Sequence, residues 1–282
     1  MTASLVIEEA DGLVTVQDRG RVGLAHLGVP RAGALDGPAA RLANRLVGND
    51  ESAALLEVTM GGLAVRATGP VWLAVTGARC AVTVDGRALA HAEAVWVPRD
   101  GTARIGPPES GVRTYLAVSG GVAVEPVLGS RATDTLAWVG PPRVVAGTEL
   151  PVGPRSSAPA SYDAPRLPRP GPLPVDPGPR ADWFADDALE RLCATTYTVT
   201  PASNRIGLRL DGAPLERVRE GELASEGMVL GAVQVPPDGL PVVFLADHPT
   251  TGGYPVLAVV RDDDLWMCAQ LRPGDEVRFT RG

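Results

Sequence analysis

Pro241-Val242-Val243-Phe244-Leu245-Ala246-Asp247-His248-Pro249-Thr250-Thr251-Gly252-Gly253-Tyr254-Pro255-Val256-Leu257-Ala258-Val259-Val260 reads as strand, loop, strand. The runs Pro241–Ala246 and Val256–Val260 are short, apolar and rich in β-branched residues, which favours buried strands over helices. The loop between them, Asp247–Pro255, sets an acid, an imidazole, two hydroxyls and a phenol at the edge of a core. Gly252 and Gly253 allow a backbone to approach a neighbour closely or to take positive φ. Loops carried by rigid strands concentrate binding and chemistry, yet Gly, Asp and Pro also make plain turns. The residues alone leave both readings open.

The same punctuation recurs along the chain. Short β-rich runs appear at Leu13–Val16, Val71–Val75, Ala81–Val84, Ala94–Val97, Thr114–Val118, Ile206–Leu210, Val229–Val235 and Val277–Phe279. Turn pairs separate them: Asp85-Gly86, Asp100-Gly101, Asp211-Gly212 and Asp238-Gly239. Val71, Leu73 and Val75 point one way while Trp72, Ala74 and Thr76 point the other. Many short strands with turns between them predict an all-β barrel or sandwich. Two helices interrupt the pattern. One spans about Pro38–Val47, with Ala39, Leu42, Ala43, Leu46 and Val47 on one face and Asp36 or Gly37 as cap. The other lies within Asp182–Ala194, where Asp187 and Glu190 have capping-box spacing.

Residues 151–180 hold ten prolines, which excludes a helix or a central strand over most of that length. The predicted division is a β-barrel lobe at 1–150, a Pro-rich linker at 151–180 and a second β-barrel lobe at 181–282. One long ordered excursion inside a single domain is the alternative.

Composition narrows the function classes. A net charge of -7 without a basic stripe argues against nucleic acid. No apolar run approaches the roughly 20 residues of a membrane span, and Met1–Ser4 shows no secretion signal, so a cytoplasmic protein is expected. Cys80, Cys193 and Cys268 are scattered, and His26, His91 and His248 follow no metal-ligand spacing, so no metal site is expected. All 26 basic residues are arginine. Without a lysine the chain has no P-loop lysine, no Schiff base and no biotinylated or lipoylated lysine. Any such group must come from another chain.

Two polar clusters remain. In the first, Gln17, Asp18 and Arg21 sit on a Gly-rich loop after a strand, where acid and guanidinium groups suit a carboxylate or phosphate ligand. The alternative is an ion pair of Asp18 with an arginine that holds the loop. In the second, Arg205 and Gln234 precede the Asp247–Pro255 loop. Pairing about the Pro-Pro-Asp-Gly turn is expected to bring Gln234 and Asp247 to the same end of a hairpin, away from the turn. There Gln234 would orient Asp247 or a substrate amide, or the two would satisfy each other.

These residues carry a resemblance. Thr15-Val16-Gln17-Asp18-Arg19-Gly20-Arg21, Gly28-Val29-Pro30, Gly33, Asp36, Leu42-Ala43-Asn44, Val47-Gly48-Asn49 and Leu56-Glu57 match in order. So do Gly120-Gly121, Leu128-Gly129-Ser130-Arg131, Arg205-Ile206-Gly207, Gly231–Pro236 and Thr250–Pro255. The chain resembles the carboxyltransferase-like family that includes KipA, allophanate hydrolase subunit 2 and the C subunit of bacterial 5-oxoprolinase. It departs from the family at Asn204, usually acidic, and at Ile206, commonly Met, and His248 fills a variable slot.

The resemblance implies two cyclophilin-like lobes and a KipI-like B subunit as partner. The A subunit of 5-oxoprolinase would supply ATP chemistry, so that no cofactor binds this chain. The implied activity is ATP-dependent opening of the 5-oxoproline lactam to glutamate. Arg205 or Arg21 would hold the substrate carboxylate. Gln234, Thr251 and the Gly252 and Gly253 amides, beside Thr250, would stabilise an oxyanion, and Asp247 or Tyr254 would orient water or the leaving group. Relatives in urea degradation imply instead a carboxyltransferase acting on biotin of a separate carrier. KipA implies a non-catalytic regulatory partner, and a plain scaffold protein is the remaining alternative.

Overall fold

A computed structural model describes residues 3–155, 157–160, 171–219, 221 and 223–282. It divides into two compact units. The first comprises Met1–Arg21, Ala32–Asp134 and Trp138–Leu167; the second comprises Val22–Arg31, Thr135–Ala137 and Pro168–Gly282. Two short pieces of the N-terminal half therefore belong to the second unit. Residues 156 and 161–170 of the expected linker lie outside the described residues.

The first unit is two antiparallel sheets. In one, the order is Glu149–Pro151, Ser4–Ala10, Leu63–Ala67, Thr102–Ile105, Val82–Val84, Arg87–Leu89. In the other it is Leu13–Gln17, Leu55–Thr59, Arg113–Val118, Val71–Gly77, Ala94–Val97. Both contribute to a single core, with Leu5, Ile7, Val65 and Ile105 from the first sheet and Val16, Leu56, Leu73 and Leu116 from the second.

The alternation at 71–76 is explained by two covered faces. Val71, Leu73 and Val75 enter that core, while Trp72 and Ala74 pack with the helix Gly37–Leu46 through Ala40, Ala43 and Leu46. Thr76 donates its hydroxyl to the Ala39 carbonyl at 2.7 Å. The helix begins where Asp36 accepts the Ala39 N–H at 3.0 Å and Pro38 takes the first turn. Burying a side chain such as Leu46, 1% exposed, contributes about 1.5–3 kcal/mol, so this face rather than propensity holds the helix.

The second unit contains a closed seven-stranded barrel, ordered Leu173–Pro177, Val256–Val260, Ala232–Gln234, Val242–Phe244, Gly207–Asp211, Thr196–Val199, Glu276–Arg281. It closes by parallel pairing of Leu173–Pro177 with Glu276–Arg281. That strand places five residues of the Pro-rich stretch in a sheet, while the expectation excluded a central strand over most of its length. Pro174 takes part as an acceptor, its carbonyl receiving Arg261 N–H at 3.2 Å. The second helix is Ala188–Ala194; the side chain of Asp187 makes no capping bond and faces Arg191 at 4.0 Å instead. A two-stranded ribbon, Glu226–Gly227 with Thr251–Gly252, lies outside the barrel ladder. Among the described residues no helix is long and apolar enough to cross a membrane.

Candidate functional site

The strand Val242–Phe244 does not stop the pairing of its chain. Leu245 N–H reaches the Ile206 carbonyl at 2.9 Å and Asp247 N–H the Arg205 carbonyl at 3.1 Å. This backbone register sets the Arg205 and Asp247 side chains together. Arg205 Nε donates to Asp247 Oδ2 and Nη2 to Oδ1, both at 2.9 Å. Thr135 donates its N–H at 2.9 Å and its hydroxyl at 2.6 Å to the same Oδ2. Both charged side chains are buried, at 1% and 0% exposure. A buried pair is tolerable when its polar atoms are satisfied, and here Asp247 Oδ2 accepts three donors.

Beyond this clamp the chain turns outward. His248 is buried, stacks on Phe244 with ring centroids 5.8 Å apart, and donates from Nδ1 to the Pro249 carbonyl at 2.7 Å. Burial holds its imidazole below the ordinary pKa, helped by Arg31 and opposed by the Pro249 carbonyl and Asp247. The Thr250 carbonyl accepts Met228 N–H at 2.9 Å, and Thr251–Gly252 then joins the ribbon with Glu226–Gly227. Arg180 holds Glu226 from the other side through Nε at 2.9 Å and Nη2 at 2.6 Å. A methyl group on Gly252 would lie 2.9 Å from Gln234 Nε2 and 3.2 Å from Met228 Cγ, so the loop packs closely over these two side chains. Thr251 is exposed, Gly252 and Gly253 are half-buried, and Tyr254 is 45% exposed.

Gln234 and Asp247 are not brought together. Gln234 pairs with Val242, next to the Pro236–Gly239 turn, whereas Asp247 lies past the far end of that strand. Gln234 instead donates to the Tyr254 carbonyl at 3.1 Å and sits 3.8 Å from Met228 Sδ, so it supports the loop from beneath. Arg205 is likewise committed to Asp247, and both Asp247 oxygens are taken, which corrects the expectation that either group meets substrate or water directly.

The N-terminal cluster belongs to the first unit and is structural in its contacts. Gln17 donates to Thr15 Oγ1 at 3.0 Å and the Thr133 carbonyl at 2.9 Å, and accepts Gly33 N–H at 3.1 Å. Asp18 accepts Gly20 N–H at 2.7 Å, and the Ser130 hydroxyl and Arg131 N–H, each at 2.6 Å. It holds a loop as the alternative reading expected, but through a hydroxyl and backbone donors. Arg21, 3% exposed, donates to the Val127 carbonyl at 3.0 Å and the Ala132 carbonyl at 2.6 Å, so it too is not posed for a ligand carboxylate. Thr135, Met228 and Arg180 escaped the sequence reading. Thr135 lies 112 residues from its carboxylate, and nothing local marks it.

Known proteins agree with this architecture. A model described as carboxyltransferase domain, subdomain A and B, matches residues 27–281. The chain belongs to the carboxyltransferase domain family. It is 36% identical to the C subunit of 5-oxoprolinase from Escherichia coli K12, over 98% of this chain and 91% of that protein. It superposes on the crystal structure of TTHA0988 with a TM-score of 0.89 and 39% identity, covering 99% of this chain. It spans about half of that longer protein, 56%. The Kluyveromyces lactis urea carboxylase gives a TM-score of 0.91 at 30% identity, with 99% of this chain but 27% of that enzyme covered. Family members thus occur both as separate subunits and within longer chains.

Proposed function

We infer that this chain is the C subunit of a multi-subunit, ATP-dependent 5-oxoprolinase that opens the 5-oxoproline lactam to L-glutamate. The observation that carries this reading is the 36% identity to the corresponding 5-oxoprolinase protein across nearly the whole of both chains. The complex is cytoplasmic. Its other members are a KipI-like protein and an ATP-using protein, and this chain holds no cofactor of its own. The absence of lysine is consistent with nucleotide chemistry residing elsewhere.

In the reaction the lactam C–N bond breaks, water oxygen adds to the carbonyl carbon, and the ring nitrogen leaves as the amine. The groups offered by this chain are those the loop leaves accessible: the Thr251 hydroxyl, the Gly252–Gly253 backbone and the Tyr254 phenol. Tyr254 is assigned the donor to the departing nitrogen or the developing oxyanion. Asp247, Arg205, Thr135 and Gln234 act as positioning residues that fix this loop.

The test is reconstitution with the KipI-like and ATP-using partners, following glutamate formed from 5-oxoproline and ATP. Turnover that requires this chain supports the reading; equal turnover without it refutes it. The likeness to urea carboxylase supports a second reading, carboxyl transfer from biotin on a separate carrier to urea. Urea-dependent consumption of a carboxylated carrier would select that reading, and its absence would leave the lactamase.

A further inference from the structure

The substrate proposed above carries a carboxylate, and the two arginines expected to hold it are spent inside the protein. Arg205 is closed on Asp247, and Arg21 on the Val127 and Ala132 carbonyls. In 5-oxoproline the carboxylate sits on the carbon next to the ring nitrogen. A cation that binds it must therefore lie close to whatever handles that nitrogen. The chain has no lysine, so the cation it can offer is an arginine.

The second unit leaves few candidates. Arg180, Arg191, Arg219, Arg261, Arg278 and Arg281 each lie within 4.0 Å of a carboxylate. Arg217 lies over the Trp183 ring at 5.4 Å, and Arg272 is engaged as well. Arg209 is exposed on the barrel strand Gly207–Asp211, but it pairs with Val242, at the end of that neighbour away from Asp247. Arg31 remains, and among the described residues it has no ion-pair partner.

Arg31 ends Val22–Arg31, one of the two N-terminal pieces that belong to this unit. The other, Thr135–Ala137, supplies the Thr135 donors to Asp247. The backbone at Arg31 is anchored: Pro30 and Ala32 on either side are buried, while Arg31 itself is exposed. Just upstream, the turn Ala25–Leu27 ends in Gly28 at φ 73°, and Val29 N–H reaches the Leu24 carbonyl at 3.4 Å. The charge of Arg31 acts on the His248 imidazole, two residues before Thr250, which sets it beside the base of the accessible loop.

We propose that Arg31 is a specificity-determining residue of this chain, its guanidinium taking the 5-oxoproline carboxylate while Thr251–Tyr254 face the lactam. Two N–H groups of the guanidinium fork match the two carboxylate oxygens, and a lactam without the charge gains nothing from them. The inference rests on the reading of this chain as part of a 5-oxoproline lactamase.

The experiment is steady-state turnover of the reconstituted complex with Arg31→Gln and Arg31→Lys, together with the melting temperature of each isolated variant. For Arg31→Gln the expected result is a KM for 5-oxoproline raised roughly tenfold or more, with kcat within about threefold and an unchanged melting temperature. Arg31→Lys keeps the charge without the fork and is expected to recover part of that KM. The carboxamide of 5-oxoproline, the same lactam without the charge, is expected to inhibit the wild-type and Arg31→Gln complexes equally. A KM for Arg31→Gln within about threefold of wild type overturns the assignment. Carboxamide inhibition weakened as much as 5-oxoproline binding also overturns it, because Arg31 would then shape the loop and not read the carboxylate. Equal turnover with and without the wild-type chain overturns instead the lactamase reading beneath it.

Discussion

Each unit buries an arginine beside a carboxylate, and the two pairs serve different ends. In the first unit Glu57 and Tyr115 are cross-strand neighbours, with Arg113 Nε 3.5 Å from Glu57 Oε1. Tyr115 donates to Glu57 Oε2 at 2.8 Å, while its oxygen accepts Asp36 N–H at 2.8 Å. Leu35 N–H reaches the same carboxylate at 3.1 Å, so these bonds end at the start of a helix. Burial raises the Tyr115 phenol well above its ordinary pKa, reinforced by Glu57 and Asp36, and keeps it a donor. In the second unit, Arg205, Asp247 and Thr135 sit where a strand ends, and the chain leaves Asp247 for an exposed polar loop. One network fastens a helix to a sheet. The other fastens what we assign as a working surface to a barrel.

The largest expected effect comes from Asp247→Ala. It removes the carboxylate partner of the buried Arg205 guanidinium, and the expected loss is about 3–5 kcal/mol in denaturant unfolding. A loss below about 1 kcal/mol would show that the clamp does not hold its loop and would erase the contrast. At intermediate size stand Thr135→Val and Tyr115→Phe. Each removes one hydroxyl donor to a buried carboxylate, at about 1.5–3 kcal/mol.

The histidines sharpen the comparison with pH. His91 in the first unit and His248 in the second are both held below the ordinary value of 6.5, chiefly by burial. The unfolded chain therefore binds protons first as pH falls. Their contribution is complete above the unfolded value and is lost as pH drops through the lower folded values. Replacing either with glutamine is expected to flatten the acid limb of a melting-temperature profile, and an unchanged limb counts against the buried neutral imidazole. The smallest effect on stability belongs to Tyr254→Phe. An exposed hydroxyl changes stability by less than about 0.5 kcal/mol, while turnover of the complex is expected to fall at least tenfold.

Sequence periodicity carried most of the fold. The two-residue alternation at Val71–Thr76 follows from a sheet covered on both faces, and Asp36 caps the helix it precedes. Local pattern did not reach the partners of Asp247. Arg205 comes from a bend just before the strand Gly207–Asp211, 42 residues earlier, and Thr135 from a turn 112 residues away, so only the folded unit brings them together. The apolar run Pro241–Ala246 also overstated its strand, which is Val242–Phe244, and Gln234, paired with Val242, lies at the turn end of the hairpin and not at the Asp247 end. The loop itself was legible because its glycine pair, hydroxyls and phenol stand together between two apolar runs.

The most direct measurement is turnover of the reconstituted complex with Thr135→Val and with Tyr115→Phe, matched for the fraction folded. Both variants delete one hydroxyl bond to a buried carboxylate. The expected result is at least a tenfold loss of glutamate formation for Thr135→Val and wild-type turnover for Tyr115→Phe. Equal turnover in the two variants would contradict the assignment of the loop beyond Asp247 as the working surface of this chain.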